Sequence, residues 1–308
     1  MAFTAKDVKT LRERTGVGMM DCKKALVEAN GDMDKAVEIL RERGLAAATK
    51  KSGRVAAEGL VASFHDEDAK VSALVEVNSE TDFVAKNAEF QSFAADVAKT
   101  IAIENPADND ALGKVQLVDS TRTVTESLQD KILTIGENLQ IRRFVRVEGL
   151  AATYIHAGGS VGVIVSFEAD DSLASNETFK AMGKDVAMQI AAMSPQYLDE
   201  ASVPADVVEY EKGIILTQIK EDPNMANKPE KVLENISRGR MAKLFNDICL
   251  LNQPFVKDDS KSVAKYVESV AKELGSDIKV TGFTRFAKGE GLQKREDNFA
   301  DEVADMMK

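Results

Sequence analysis

The spacing of apolar residues in the first 44 positions predicts three short helices. Thr4 can cap the first helix, Gly16 can end it, and a second helix should follow from about Asp21. Asp32 can cap the third helix, and Gly44 stands just past its expected end. The apolar positions predicted to face inward are Val8, Leu11, Ala25, Leu26, Ala36, Val37, Ile39 and Leu40. This segment therefore predicts a small helical bundle.

The pattern then changes from helix to strand. Residues 45–57 are rich in alanine and locally basic but have no apolar stripe, which predicts a semi-rigid connection. The alternating apolar residues beyond it are Val71, Ala73, Val75 and Val77. Alternation with this period predicts a half-buried strand, and the chain should pass from this strand into solvent after residue 77.

An internal repeat covers the central part of the chain. Glu58 begins the segment EGLVASFHDEDAKVSALVEV, which aligns with EGLAATYIHAGGSVGVIVSF from Glu148 at an offset of 90 residues. Ala88 begins AEFQSFAADVAKTIA, which aligns with ETFKAMGKDVAMQIA from Glu177 at an offset of 89. Each copy reads as strand, turn, strand and helix. The duplication predicts two similar α+β subdomains whose antiparallel strands are covered by helices on one face.

Further elements complete the two copies. We expect a helix near residues 123–136, a strand around Phe144, and a strand at residues 278–283 that returns to the second sheet. Residues 204–250 contain two amphipathic helices separated by the segment EDPNMANKPE, which predicts an antiparallel hairpin projecting from the body. Its apolar face comprises Val208, Ile214, Ile215, Ile219, Val232, Ile236, Leu244 and Ile248.

The fold class predicted by these elements is α+β: a three-helix N-terminal module, a duplicated core with antiparallel sheets, an inserted helical hairpin and a short C-terminal helical module. The predicted bounds are 1–54 for the N-terminal module with its linker, 55–149 for the first core subdomain, 150–203 with 251–289 for the second, 204–250 for the hairpin and 290–308 for the C-terminal module. The last should contain a short acidic helix from about Asn298 to Met307.

Composition narrows the classes of function. The 308 residues are 44% hydrophobic, which is enough for two or three domains with real cores. A net charge of -11 disfavours direct binding of DNA or RNA, so we expect a protein partner. Cys22 and Cys249 are too few for a disulfide framework or a cysteine-rich metal site. With no leader and no apolar run near the ~20 residues of a membrane helix, we expect a cytoplasmic protein without membrane contact.

The sequence offers no arrangement typical of catalysis. His65 and His156 belong to different copies of the repeat, so a shared nucleophile or metal site is not expected. The glycines at 16–18 and 157–162 lack the Lys-Ser or Lys-Thr pair of a phosphate-binding loop, and the paired acids lie in polar turns. We therefore predict no catalytic residue, no cofactor and no bound metal.

The corner after the alternating strand differs between the two copies. The first copy has NSETDFVAKN where the second has EADDSLASN, so packing of the repeat does not require Asp82 and Phe83. Phe83 can pack back on its own helix or face a partner, and the sequence leaves both open. Burying a phenylalanine ring in a partner removes ~150 to 250 Å² from water. At about 25 cal/mol per Å² this amounts to about 4 to 6 kcal/mol, enough for an interface anchor.

Two segments of the chain resemble a known family. Leu11 begins LRERTGVGMMDCKKAL and Glu76 begins EVNSETDFVAK, and these are similar to the two signature segments of elongation factor Ts. The resemblance covers the whole chain, and the N-terminal bundle resembles the ubiquitin-associated type. It implies an exchange factor without covalent chemistry. Such a factor binds the GTPase elongation factor Tu in its GDP form, disrupts the Mg²⁺ and phosphate site, and promotes GDP release so that GTP can bind.

The resemblance also implies which residues contact elongation factor Tu. The family motif places Thr81, Asp82, Phe83 and Val84 beside the partner's Mg²⁺ site, with the phenylalanine ring as a wedge between two helices. Further implied contacts are Arg12, Met19, Met20, Ile135 and His156. The hairpin is a dimerisation element in some members of the family, which leaves a homodimer open. The effect of Glu80 beside the motif is open as well.

Two other functions remain as alternatives at this point. An adaptor would use the three-helix module to bind a ubiquitin-like fold or a nascent chain, and the difference between the copies at residues 79–84 argues against it. A hydrolase would need a base near a nucleophile, and no such pattern is found.

Overall fold

The protein is described by a computed structural model that covers residues 3–222, 225 and 228–293. Helices and small antiparallel sheets alternate along the chain, so the predicted α+β class is confirmed. The acidic helix expected at about 298–307 lies outside the described residues. Within the described part of the chain, no helix combines the length and the apolar character needed to cross a membrane.

Three helices open the chain: α1 (Ala5–Thr15), α2 (Met19–Glu28) and α3 (Met33–Lys51). Thr4 caps α1 through reciprocal hydrogen bonds with Asp7, and Gly16 ends it in the left-handed conformation. Helix α2 begins at Met19, two residues before the predicted start. The buried residues at the centre of the three helices include Leu11, Ala25, Leu26, Ala36 and Leu40, as the apolar spacing predicted.

The first copy of the repeat forms a three-stranded sheet with helices on one face. Its elements are β1 (Glu58–Asp66), β2 (Val71–Ser79), α4 (Asp82–Ala85), α5 (Ala88–Glu104), α6 (Asn109–Lys114), α7 (Val124–Ile135) and β3 (Gln140–Glu148). The strands are antiparallel in the order β1-β2-β3, so β2 is the central strand. Helix α5 packs its buried side chains against this sheet.

The prediction that the third helix ends before Gly44 is wrong. Helix α3 continues to Lys51 because its second half packs along α7, where a Cβ atom at Gly44 would lie 3.4 Å from the carbonyl oxygen of Gln129. A glycine inside a helix costs about 1 kcal/mol relative to alanine, and tertiary packing outweighs that cost here. Ala47 and Ala48 pack against the core of the first sheet. The predicted connection is therefore a helix that fastens the N-terminal helices to the core.

The second copy repeats this arrangement and contains the inserted hairpin. Its elements are β4 (Ala151–His156), β5 (Val161–Glu168), α8 (Glu177–Met193), α9 (Ala205–Glu221), α10 (Glu230–Ile248), β6 (Pro254–Phe255), β7 (Asp258–Ser262), α11 (Val263–Leu274) and β8 (Lys279–Ala287). The main sheet is antiparallel in the order β4-β5-β8. Helix α8 covers one face as α5 does in the first copy. The large buried side chains at the 89-residue offset include the pairs Phe90 and Phe179, Phe93 and Met182, Val97 and Val186, and Ile101 and Ile190.

The hairpin helices α9 and α10 pack against each other through a small apolar cluster. Ile215, Ile219 and Met241 are buried there, and Leu233 and Phe245 pack around them. Val232, predicted on the apolar face, is exposed instead. The predicted face was too wide because two helices packed only on each other bury a narrow seam.

The prediction of a half-buried strand is wrong for β2, since all nine of its residues are buried. The alternating residues such as Val75 face α5, as predicted. The opposite face packs against the second sheet, where Val61 and Leu74 meet Ile164 and Phe286. Local alternation cannot reveal this second contact, because it arises only when the two copies pack together.

The two sheets approach each other closely at Gly162. A Cβ atom at Gly162 would lie 2.4 Å from Val61 Cγ1 and 2.7 Å from Leu74 Cδ1, too close for either side chain to stay in place. Gly282 lies on β8 of the same sheet, and a Cβ atom there would meet no atom within 4 Å.

We expect Gly162→Ala to lower the free energy of unfolding by about 1 to 3 kcal/mol, because an added methyl group overpacks the interface between the sheets. Gly282→Ala is the matched control and should stay within about 0.5 kcal/mol of wild type. Urea unfolding followed by circular dichroism measures both variants. Equal stability of the two variants would contradict the close approach at Gly162.

A buried carboxylate also joins the two sheets. Glu76, on β2, is 0% exposed and accepts hydrogen bonds from Arg142 at 3.0 Å and Arg143 at 2.6 Å, both on β3. It accepts a further hydrogen bond, at 2.7 Å, from the N–H of Gly289 in the turn after β8. A side chain at Gly289 would collide with the carbonyl oxygen of Ala57. Glu76 therefore fastens the first sheet to the end of the second.

The two arginines extend this connection to the turn after β8. Arg143 donates to the carbonyl oxygen of Ala287 at 3.2 Å, and its guanidinium carbon lies 4.3 Å from the centre of the Phe286 ring. Arg142 donates to the carbonyl oxygen of Glu290 at 2.6 Å. Each arginine thus binds Glu76 on one side and the second copy on the other.

Burial alone would raise the pKa of Glu76, but hydrogen bonds from Gly289, Asn78 and the two arginines outweigh it and lower the pKa below the ordinary 4.5. The stabilising contribution of the ionised carboxylate is therefore complete above the ordinary pKa and is lost as the pH falls through the lower pKa of the folded state. We expect Glu76→Gln to lower the free energy of unfolding by about 3 kcal/mol at neutral pH. The difference from wild type should shrink as the solution becomes more acidic than the ordinary pKa.

Urea unfolding at neutral and acidic pH measures this difference. Glu148→Gln is the control, because Glu148 lies on β3 with a largely exposed side chain that forms a surface ion pair with Arg146 at 2.6 Å. It should change stability by at most about 0.5 kcal/mol. A loss for Glu76→Gln that is the same at both pH values would show that the charge of Glu76 is not what stabilises the interface.

Candidate functional site

The corner between β2 and α5 presents one large apolar side chain to solvent. Phe83 lies on the single-turn helix α4 and is 77% exposed, so it does not pack back on its own helix. Val84, the next residue, is 7% exposed and belongs to the core under the first sheet. Successive residues of a helix point about 100° apart, so anchoring Val84 inward turns Phe83 outward.

Asp82 and Lys86 flank the exposed ring. Lys86 Nζ lies 2.8 Å from Asp82 Oδ2 and 5.7 Å from the centre of the Phe83 ring. The hydrogen bond from Lys86 lowers the pKa of Asp82, although the small burial of Asp82 acts in the opposite direction. The corner therefore presents an ionised carboxylate and an apolar ring side by side.

Two glutamates hold the backbone that leads into this corner. Glu137 Oε2 accepts the N–H groups of Glu80 at 3.1 Å and Thr81 at 3.0 Å, and its Oε1 accepts the Thr81 hydroxyl at 2.6 Å. Glu80 Oε1 accepts the N–H of Asn138 at 2.6 Å and also contacts Arg54. The carboxylate of Glu80 therefore turns toward the α7–β3 turn.

These contacts bring two of the predicted regions together. Ile135 ends α7, and Glu137 two residues later binds Thr81, so the turn after α7 lies against the corner. Ile135 itself is half-buried and packs against the core of the first sheet. Glu137 and Asn138 could not be found from the sequence, because their partners lie 56 and 58 residues away and no local pattern connects them.

The other predicted contact residues lie on separate elements. Met19 and Met20 are exposed at the start of α2, and Arg12 is exposed in the last turn of α1. His156 is exposed at the end of β4 on the second sheet, where its Nδ1 lies 3.0 Å from the Tyr154 hydroxyl. These side chains are available at the surface, as partner contacts require.

The second copy of the repeat contains a matching corner without the exposed ring. A short turn at Asp171–Leu173 occupies the place of α4, and Leu173, at the position of Val84, is 8% exposed. Ser172 replaces Phe83, and its hydroxyl donates to Asp170 at 2.6 Å. Both copies keep the inward anchor, and only the first carries an aromatic residue beside it.

Comparison with known proteins identifies the family. A family model described as Elongation factor TS matches residues 80–290. The chain is 49% identical to elongation factor Ts of Clostridium perfringens over 307 residues, covering 99% of both chains. It is 48% identical to that of Clostridium kluyveri, covering 98% of this chain and 97% of the relative. It is also 48% identical to that of Syntrophotalea carbinolica over the full length of both.

The chain belongs to the elongation factor Ts family.

Membership of the elongation factor Ts family makes the protein a translation elongation factor with a nucleotide exchange role. An exchange factor catalyses no covalent step of its own. Among the described residues, no group of three or more His, Cys, Asp or Glu side chains is arranged to hold a metal ion. What the corner offers is a surface for binding: an exposed ring, an ionised carboxylate and a backbone held by two carboxylates.

The contrast between Phe83 and Val84 predicts different effects on stability. Phe83→Ala should leave the free energy of unfolding within about 0.5 kcal/mol of wild type, because the ring makes few contacts in the free protein. Val84→Ala should lower it by about 1 to 2.5 kcal/mol, since it removes buried methyl groups. Chemical denaturation of the free protein tests both. A large loss of stability for Phe83→Ala would mean that the ring is buried in solution.

Proposed function

We propose that the protein is the guanine nucleotide exchange factor of elongation factor Tu and that Phe83 is the residue that opens the GTPase. The observation that carries the proposal is the 77% exposure of this ring at a corner whose neighbouring residues are fixed. Thr81 is held by Glu137 on one side, and Val84 is buried on the other. The backbone that carries the ring therefore has little conformational freedom to lose on binding.

The energy available from the ring fits the task. GDP leaves a GTPase slowly because backbone amides, a lysine and Mg²⁺ hold its phosphates. An exchange factor must bind the nucleotide-free GTPase better than the loaded one, and nucleotide then weakens the factor by the same ratio. Each tenfold loss of nucleotide affinity requires about 1.4 kcal/mol of differential binding. Full burial of a phenylalanine ring supplies about 4 to 6 kcal/mol before ordering costs. This is enough to weaken nucleotide binding by several factors of ten.

Asp82 contributes charge beside the ring. In the proposed complex Phe83 parts two helices of the partner's nucleotide domain, and the carboxylate of Asp82 lies where the partner's Mg²⁺ is released. A carboxylate near the site of the GDP phosphates repels their negative charge and so disfavours rebinding of GDP. Lys86 pairs with Asp82 in the free protein and is the group that must give way or turn toward the phosphates in the complex.

The remaining contacts give the complex its orientation. We propose that Arg12, Met19 and Met20 bind a helix of the same nucleotide domain, where two flexible thioethers adapt to an apolar surface. His156 on the second sheet and Ile135 beside the corner provide further contacts. Contacts on both sheets and on the N-terminal helices place Phe83 at one defined depth.

We expect Phe83→Ala to slow GDP release from elongation factor Tu by at least about tenfold, equivalent to about 1.4 kcal/mol. Asp82→Ala should slow it less, because the ring still enters. Release of labelled GDP from the GTPase at saturating exchange factor measures both rates. Ile103→Ala is the matched control, since Ile103 is an exposed apolar residue near the end of α5, about 20 Å along that helix from its start at 1.5 Å per residue.

Variants of Phe83 and Asp82 that release GDP at the wild-type rate would refute the wedge. Wild-type protein that leaves the rate of GDP release unchanged would favour an adaptor instead.

A further inference from the structure

We infer that Glu137 is a positioning residue for nucleotide exchange: its carboxylate fixes the start of α4 and thereby the direction of Phe83. The inference rests on the proposed function of Phe83. Glu137 does not need to touch the GTPase for this role, because its oxygens bind groups of this chain.

Glu137 holds the two residues that lead into α4. Thr81 occupies the N-cap position, where a threonine hydroxyl usually accepts a hydrogen bond from the first turn of its own helix, but no such bond is made. The hydroxyl instead donates to Glu137 Oε1 at 2.6 Å, and the N–H groups of Glu80 and Thr81 both donate to Oε2. One carboxylate from a distant part of the chain therefore satisfies three donors immediately before the ring.

The opposite side of the same contact holds Glu137 in place. Gly136 ends α7 with φ 88°, a conformation that lets the chain turn sharply after the helix. Asn138 is buried, its N–H donates to Glu80 at 2.6 Å, and its side-chain amide donates to the carbonyl oxygen of Arg54 at 2.8 Å. Glu80 and Glu137 thus each bind the backbone of the other's turn, so hydrogen bonds join the two turns in both directions.

A single-turn helix depends on such external contacts. A helix of four residues is far below the length that is stable alone, so α4 keeps its shape through Val84 on one side and Glu137 on the other. Without Glu137, the two N–H groups and the hydroxyl lose their acceptor, and the corner gains alternative conformations. Phe83 would still be exposed, but it would no longer point in one direction before it meets the partner.

The test is GDP release at varied concentrations of exchange factor. We expect Glu137→Ala to lower the maximal rate of GDP release about tenfold and to change the half-saturating concentration less than about twofold. Glu137→Gln should recover most of the rate, because its amide oxygen can still accept the two backbone N–H groups. Glu126→Ala is the control: it removes the capping contact of α7 to Thr123 at 2.9 Å and should leave the rate unchanged at a similar loss of stability.

A double-mutant comparison separates positioning from general damage. In the Phe83→Ala background, Glu137→Ala should cause no further loss, since a residue that acts through the ring has nothing left to position. Independent losses that multiply would overturn the inference, as would a normal rate for Glu137→Ala alone. If Glu137→Ala does not fold, Thr81→Val is the replacement variant, because it removes only the hydroxyl donor. We expect it to slow GDP release about threefold. A normal rate for Thr81→Val would overturn the inference.

The GDP release rate of Phe83→Ala distinguishes failure of the proposed function from failure of the inference about Glu137. A normal rate for Phe83→Ala defeats the proposed function itself. A slow Phe83→Ala beside a normal Glu137→Ala defeats only the role of Glu137.

Discussion

The buried carboxylate of Glu76 is the interaction on which the arrangement of the two sheets depends. An ionised carboxylate at this depth would be strongly destabilising without partners, and its partners come from β3 and from the turn after β8. The two arginines belong to the first sheet itself, and the N–H of Gly289 completes the hydrogen bonds of Glu76 when the end of the second sheet is in place. Docking of the two copies therefore completes the hydrogen bonding of a charge that the first sheet already pairs.

The same network connects the two surfaces that meet the proposed partner. Lys288, next to Gly289, donates its N–H to Ser160 at 3.0 Å, and Ser160 donates to His156 at 3.1 Å. On the other side, β2 runs from Glu76 to Ser79 and directly into the turn held by Glu137. Phe83 and His156 thus belong to different sheets but to one rigid frame, so a partner that contacts both loses little entropy in ordering them.

Much of this architecture was predictable from the sequence, and the failures have physical causes. Helix caps such as Thr4 and Asp32 act within four residues, so the sequence reveals them. Comparing the two copies of the repeat likewise reveals where their helices and strands lie. The helical conformation of Gly44 and the second buried face of β2 could not be predicted, because each depends on packing against an element distant in the sequence. The predicted site residues were read from a resemblance, whereas Glu137 became visible only through its contacts with Thr81.

The matching corners of the two copies suggest how such a site arises. Val84 and Leu173 fill the same inward position, so the stability of each corner rests on that residue and not on its neighbour. After an ancestral duplication, the position now occupied by Phe83 in one copy and Ser172 in the other was free to vary at almost no cost to folding. One copy can thus carry a binding residue at this position without disturbing the buried residue that stabilises the corner in both copies.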